Sequence, residues 1–511
     1  MKPSVLIAWL VALFGWTLLS EQPVSAQGLW IRAESKDFVI YTDAEPAMAQ
    51  RFADRLQAFD SILRLYHGQE LEKPVRRKLP IYLLRRETDM RRIQPGVPSS
   101  LRGFYTSSLD DTYAVAIAED EDSPTLQHEY VHHFMLAGFP GGMPGWLIEG
   151  YAEYFMTFRN TRQGPEVGRP NANRTTWLLR GSWVPYATVL KVRSGELRTG
   201  QDQQMYYAQS WALTHWFFTD PARRRQLSAY IANVNRGQDS ISAMKTATGM
   251  SPEQLDRAIK SYLAGRFSFE RPLVTLPPAA PVQITPLPVS APDVLLLSLR
   301  VKRDNGIDAP EDKTDGPVLL NDVRRAAARH PGDPLAELTL ARAEIKLGDL
   351  AQAERLLGTR LAADPNSIEA LQLMAFARLK AAETAEGDAA RRLRSEAGEF
   401  AGRAFRLGPN HYQTLIAYAQ SREGGRGWPT PNDIEVLQDA LDLAPQVGVL
   451  RLKTARALAE RGRRVEAAQI LRPLAYNPHG GKEAEAARSL IAALEKPVGA
   501  PPVAAPSVTS R

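Results

Sequence analysis

With 511 residues, 44% of them apolar and 23% charged, the chain is long enough for two or more domains and has the balance of an ordinary soluble globular protein. The absence of cysteine excludes disulfides, thiol catalysis, thiolate metal sites and a lipid-bearing cysteine anchor, so any metal must rest on histidine and carboxylate. The net charge of +6 is spread along the chain with no compact basic tract, which argues against nucleic acid as a partner.

Lys2, the apolar run Val5 to Leu19 and the small residues Val24-Ser25-Ala26 have the layout of a secretory signal peptide over residues 1–26, cut after Ala26. The run is shorter than the roughly 18 to 20 residues of a spanning helix, although an uncleaved anchor is the alternative. The expected location is outside the cytoplasm, in the periplasm, with no stable membrane span after cleavage. The second half of "LWIRAESKDFVIYTD" alternates as a strand does. Helical spacing follows, with Phe52, Leu56, Phe59, Ile62 and Leu63 on one side and Gly68 at the end. "KLPIYLLRRE" reads as a second strand, and "RGFYTSSLDDTYAVAIAED" as a hairpin turning near Asp110-Asp111. More helical sequence runs to about Phe267. Strands first and helices after predict an α+β domain over 27–270. Residues 271–292 are proline-rich and read as a linker or an extended strap.

From 293 to 495 the chain turns to alanine, leucine and arginine at helical spacing. Prolines at 334, 365, 409, 445 and 478 close successive units at steps of 31, 44, 36 and 33 residues. The pattern resembles tetratricopeptide repeats, whose period is about 34 residues. That implies an all-α solenoid and a protein partner held by the repeats; because the repeats are degenerate, an irregular array of helical hairpins is the alternative. Ala341 and Ala353 allow close helix approach, and Gly348 falls in the turn between them. The tail, 496–511, has the composition of a disordered segment.

One segment carries chemistry: "LQHEYVHHFMLAGFPGGMPGWLIEGYAEYF", residues 126–155. His128 and His132 are four apart, on one face of a helix, so both imidazoles can reach one zinc ion. Glu129 lies beside them, where a carboxylate can take a proton from water at the ion. Ser123 fits a helix N-cap, with the acidic run 119–122 suited to the positive helix end. His133 points to another face and reads as packing or as a residue behind the metal ligands. Gly141-Gly142 and Pro144 form a turn that returns a second helix, bringing Glu149 toward the first as a third ligand. Glu153, one turn on, can orient a zinc histidine through its other nitrogen.

"HEYVH" followed by "WLIEGYAEYF" resembles the gluzincin zinc peptidases, the superfamily of thermolysin and the aminopeptidase N group. Within it the chain is most similar to the bacterial peptidase-MA-like group, often secreted and often carrying helical repeats, and Trp30 to Thr42 fits that group's opening strand. The likeness spans roughly residues 29–220. It implies a zincin-like fold, His128, His132 and Glu149 as Zn2+ ligands, Glu129 as general base, Glu153 behind the histidines, and a polypeptide substrate. It also sets Tyr207, in "YAQSWAL", where aminopeptidases keep a tyrosine that hydrogen-bonds the oxyanion. The other reading makes Tyr206, Tyr207, Trp211 and Trp216 a helix core stripe, and His215 reads as packing. Only sixteen residues separate His132 from Glu149, and the segment that grips a substrate amine in aminopeptidases is absent. "TYAVAIAE", 112–119, is expected to be the edge strand that pairs with an extended substrate. The competing expectation is a repeat scaffold whose peptidase domain is vestigial. A third keeps the metal but takes a cell-wall peptide.

Overall fold

Alternating side chains in the first hundred residues build a sheet with two unlike faces. The computed structural model describes residues 29–97, 101–118, 124–138, 143–265, 267–303, 315–476 and 481–496. The signal segment, the acidic run 119–122 with Ser123, the Gly141-Gly142 turn, Pro478 and the tail from 497 lie outside the described residues.

The opening segment forms two strands, β1 (Ile31–Glu34) and β2 (Phe38–Thr42), paired antiparallel. Ser35 makes the turn: its hydroxyl accepts from the Asp37 and Phe38 amides at 3.3 and 3.1 Å. After helix α1 (Pro46–Tyr66) come β3 (Leu79–Leu84), helix α2 (Glu87–Ile93), and the hairpin β4 (Gly103–Ser107) and β5 (Thr112–Ile117). Further on lie a small ribbon of β6 (Arg159–Thr161) with β7 (Gly164–Glu166), and β8 (Gln283–Pro286). The main sheet runs β4-β5-β3-β2-β1-β8, with β2, β3 and β5 mutually parallel and the other pairs antiparallel. This corrects one expectation. Residues 112–117 are not the edge, because β4 folds back and covers that side of β5, so the edge is β4 itself.

The two faces follow from the two-residue period. Phe38, Ile40, Ile81, Leu83, Ala114 and Ala116 point into one core, shared with α1 and with helices α3 (Pro124–Gly138) and α4 (Gly145–Phe155). Phe52, Leu56, Phe59, Ile62 and Leu63 of α1 are all buried there, as their spacing predicts. Tyr82, Leu84, Tyr113 and Val115 point the other way, toward α2 and toward helix α11 (Ala291–Arg303), which contributes Leu295, Leu296 and Leu299. Residues 271–292 therefore run along the α/β part, and β8 pairs with β1 at its edge. Helices α5 (Ala172–Arg180), α6 (Tyr186–Val189), α7 (Gly200–Phe218), α8 (Pro221–Asn235), α9 (Ser240–Thr248) and α10 (Pro252–Leu263) enclose a separate core around Trp146, Tyr206 and Trp211.

Beyond α11 the chain is helical throughout its described residues: α12 (Asp315–Ala328), α13 (Pro334–Leu347), α14 (Leu350–Ala363), α15 (Ile368–Thr384), α16 (Gly387–Leu407), α17 (Tyr412–Arg422), α18 (Pro431–Leu443), α19 (Gly448–Glu460), α20 (Arg464–Ala475) and α21 (Gly481–Glu495). Each packs on its chain neighbours, with Ala341, Ala353, Ala397 and Ala401 buried where helices approach. The polar insert at 381–396 lengthens α15 and α16 and does not break the array. Among the described residues no helix is long and apolar enough to cross a membrane.

The array grips the tip of the β4–β5 hairpin. Tyr412 Oη donates to the Ser108 carbonyl at 2.8 Å, Gln413 Nε2 to the Asp110 carbonyl at 2.9 Å, and the Ser107 hydroxyl to the Gln446 carbonyl at 2.9 Å. Asp110 pairs with Arg342 and, at 2.8 Å, with Lys346; Asp111 pairs with Lys302 at 2.9 Å and Arg77 at 2.6 Å. Burial pushes both carboxyls upward, but these cations more than reverse it and hold both below the usual carboxylate range.

Candidate metal centre

Helices α3 and α4 set the site. On α3, His128 and His132 stand one turn apart on one face, and their Nε2 atoms are 3.0 Å apart. On α4, Glu149 is fully buried and places an Oε2 3.4 Å from His128 Nε2 and 3.5 Å from His132 Nε2. These three residues form the candidate metal group among the described residues. The spacing can be tested against the ion's chemistry. Zinc bonds of roughly 2.0–2.2 Å in a tetrahedron put ligand atoms about 3.3 Å apart. Separations of 3.0, 3.4 and 3.5 Å bracket that edge, so the donor set fits.

The close approach of α4 to α7 depends on Gly150. A Cβ there would run into the Ser210 carbonyl oxygen and Thr214 Oγ1 of α7. With that contact available, α7 brings Tyr207 to the site, its ring centroid 6.4 Å from that of His128. Tyr206, Trp211 and Trp216 turn into the α-helical core, whereas Tyr207 is only half-buried and does not belong to it. The core-stripe reading thus holds for its neighbours and not for Tyr207. Its hydroxyl lies 3.4 Å from Ser194 Oγ. The charge of Glu149, then burial, raises the phenol well above its ordinary range, which keeps it protonated and able to donate.

Glu153 is buried one turn beyond Glu149, with Oε1 3.5 Å from His128 Nδ1. Arg174 of α5 holds it with two hydrogen bonds of 2.6 and 2.9 Å, and Asn171 Nδ2 adds a third at 3.2 Å. Arg174 also lies over the Tyr207 ring at 5.2 Å and donates to Gln204 at 2.7 Å. Sequence reasoning missed Arg174. It belongs to no motif, and only the fold brings α5 against α4. For His128, burial favours the neutral ring, but the hydrogen bond to Glu149 and the charges of Glu153, Glu149 and Glu129 outweigh it, so without a metal the ring titrates at about 9. A metal would compete with that proton.

Glu129 is half-buried beside the pair, one position from His128. His133 faces away: its Nδ1 lies 3.2 Å from Tyr105 Oη and 3.3 Å from Gln446 Nε2, so it packs between the sheet edge and the helical array. His215 is buried in the core, as expected. Its Nε2 must carry the proton, because it faces the Gly168 carbonyl at 2.9 Å; Nδ1 then accepts from Tyr262 Oη at 2.6 Å.

A family described as "Tetratricopeptide repeat" matches residues 320–375, which covers α13 and α14 entirely. A second family, described as "Protein of unknown function (DUF1570)", matches 122–238, the segment holding every residue of the candidate centre. No curated protein matches the chain. Among solved structures, the chain is similar to a thermophilic TPR protein of Thermus thermophilus, at 21% identity over 35% of this chain and 92% of that one, with a TM-score of 0.32. It is also similar to the MamA RS-1 ArsTM double mutant, at 16% identity over 41% of this chain and 96% of that one, with a TM-score of 0.25. The family match places a tetratricopeptide repeat, a module that points to protein partners, at residues 320–375, behind an α/β sheet region.

Proposed function

We propose that the chain is a secreted, periplasmic zinc metallopeptidase that hydrolyses peptide bonds in a polypeptide substrate. The observation that carries this is the set of three buried or half-buried donors at tetrahedral spacing, His128, His132 and Glu149, with Glu129 beside them. When bound, zinc supplies a Lewis acid that makes water acidic near neutral pH and polarises a carbonyl. The protein's own groups supply the rest. Glu129 accepts the proton of the attacking water and delivers it to the leaving amine. Tyr207, kept protonated, donates to the oxyanion. Glu153, fixed by Arg174, orients the His128 ring. The free side of β4 is the strand edge available to an extended substrate.

The test is zinc per chain by elemental analysis, beside Glu149→Ala and Glu129→Gln, with hydrolysis of a peptide library as the second readout. About one zinc in the wild type, a marked loss in Glu149→Ala, and zinc retained but cleavage lost in Glu129→Gln is the expected result. No zinc after incubation with the metal overturns the reading. The tetratricopeptide match favours a second reading, a protein-binding scaffold whose centre is structural. In that case Glu129→Gln changes nothing that the protein does.

A further inference from the structure

We propose that an open cavity of about 1050 Å³ between α16, the end of α17 and the turn that follows binds an acidic peptide segment of a protein partner. This assignment is independent of the metal centre. The cavity wall carries six arginines against three carboxylates. Two of those carboxylates are already neutralised: Asp433 pairs with Arg422, and Glu423 with Lys453 at 3.2 Å. Most of the arginines are not. Arg391 pairs with Asp388, but Arg394 reaches the Glu423 carbonyl, Arg403 the Pro365 carbonyl and the face of Phe400, and Arg406 and Arg426 are exposed with no carboxylate partner among the described residues. A surplus of guanidinium forks facing an open space suits ligand carboxylates, which they bind in pairs of parallel hydrogen bonds.

Shape narrows the class. Arg394 and Arg406 both belong to α16 and are twelve residues apart, about 18 Å of helix at 1.5 Å per residue. One small anion cannot touch both, whereas an extended peptide of five or six residues spans that length. A Cβ on Gly402, between them, would meet nothing nearer than Arg406 Nη1 at 3.7 Å, so this glycine leaves open floor and is not demanded by packing. Tyr418 and Trp428, both partly exposed, add aromatic surface to the wall. Glu399 also faces the cavity and disfavours a uniform polyanion, while a peptide mixing acidic with apolar residues can place a neutral group there.

The same array already reads carboxylates elsewhere. Asp110 and Asp111 of the hairpin are held by Arg342, Lys346 and Lys302, next to Tyr412 and Gln413 at the start of α17. That surface is filled from within the chain. The arginine cavity lies at the opposite end of α17, at Tyr418, Ser421 and Arg422, and remains open for a partner.

The experiment is fluorescence anisotropy with a labelled eight-residue peptide of glutamate, aspartate and tyrosine. It uses the full chain carrying Glu129→Gln, so that cleavage of the probe does not intrude. We expect saturable, salt-sensitive binding that weakens at least tenfold in Arg406→Glu/Arg426→Glu and is unchanged in Arg355→Glu, an exposed arginine of α14 outside the cavity. All three chains should show the same thermal midpoint. No saturable binding, or an equal loss in the Arg355 variant, overturns the proposal. So does tighter binding of tripolyphosphate or of phosphatidylglycerol vesicles than of the peptide.

Discussion

A methyl group added at Gly150 has no room, because the backbone of α7 passes against that position. Gly150→Ala must therefore push α4 away from α7, and Glu149, the adjacent residue, moves with it. We expect a loss of about 1–3 kcal/mol by urea unfolding, the usual cost of overpacking, together with a fall in bound zinc. The second readout separates a shifted ligand from simple destabilisation, since folded variant can be assayed below its unfolding transition. Arg174 acts through charge. Arg174→Met removes the fork that holds buried Glu153 and leaves it only Asn171 and the His128 ring, a loss of up to about 3–5 kcal/mol. The double variant Arg174→Met/Glu153→Gln should recover much of that loss, and failure to recover would show that Arg174 packs more than it pairs. His215 contributes through pH. Burial lowers its pKa from 6.5 to about 4, so the folded state resists a proton that the unfolded chain accepts. Its stabilisation is complete above pH 6.5 and is lost as pH falls toward 4, by up to about 3 kcal/mol. A denaturant midpoint that falls over this window in the wild type, and less steeply in His215→Gln, is the expected outcome.

Among the elements, the β4–β5 hairpin joins the two halves of the molecule. Its last residues border the sheet edge and its tip is enclosed by the helical array, with Leu109 against the core of α17 to α20. Asp110→Ala leaves Lys346 and Arg342 without their shared carboxylate, although Arg342 keeps Glu369 at 3.0 Å, so up to about 3–5 kcal/mol should be lost and the hairpin should become cleavable by added protease at residues 107–112. Unchanged protease resistance would mean that Tyr412, Gln413 and Leu109 suffice. The hairpin itself was legible in the sequence, because two alternating runs flank an Asp-Asp turn. Its partner surface was not, since a strand's period says which face is buried and nothing about what covers its end. The strand β8 was hidden for a different reason. Pro281 and Pro286 frame it and mask the pattern, and such a strand is tolerated because an edge position leaves one side of its backbone free of ladder bonds. The histidine pair and Glu149 were readable because helix geometry fixes i, i+4 neighbours locally, whereas Arg174 lies 21 residues beyond Glu153 on another helix and becomes relevant only when α5 packs.

At the scale of the whole chain, the composition changes near residue 270 to the proline-rich strap that precedes the repeats, but the packing crosses it. Trp30, Tyr82 and Tyr113 are covered by Leu295, Leu296 and Leu299 of α11, and Tyr113 Oη donates to the Leu299 carbonyl at 3.1 Å. A chain spanning residues 29–270 loses both β8 from the β1 edge and this helix from the sheet face. The exposed rings and aliphatic side chains would form one contiguous apolar patch, the condition for aggregation. A chain spanning 29–303 keeps both elements and exposes the outer side of α11, where Val294 and Val301 otherwise meet α12 and α13, together with the hairpin tip at Leu109. The thermal midpoint should therefore rise in the order 29–270, 29–303, full chain, with a dye for exposed apolar surface binding in the reverse order. The metal centre lies on the opposite sheet face, between α3 and α4, so 29–303 should still bind zinc where it remains folded. If 29–270 unfolds as sharply and at the same temperature as the full chain, α11 contributes nothing to the sheet, and the repeats are an appendage to a domain that stands alone.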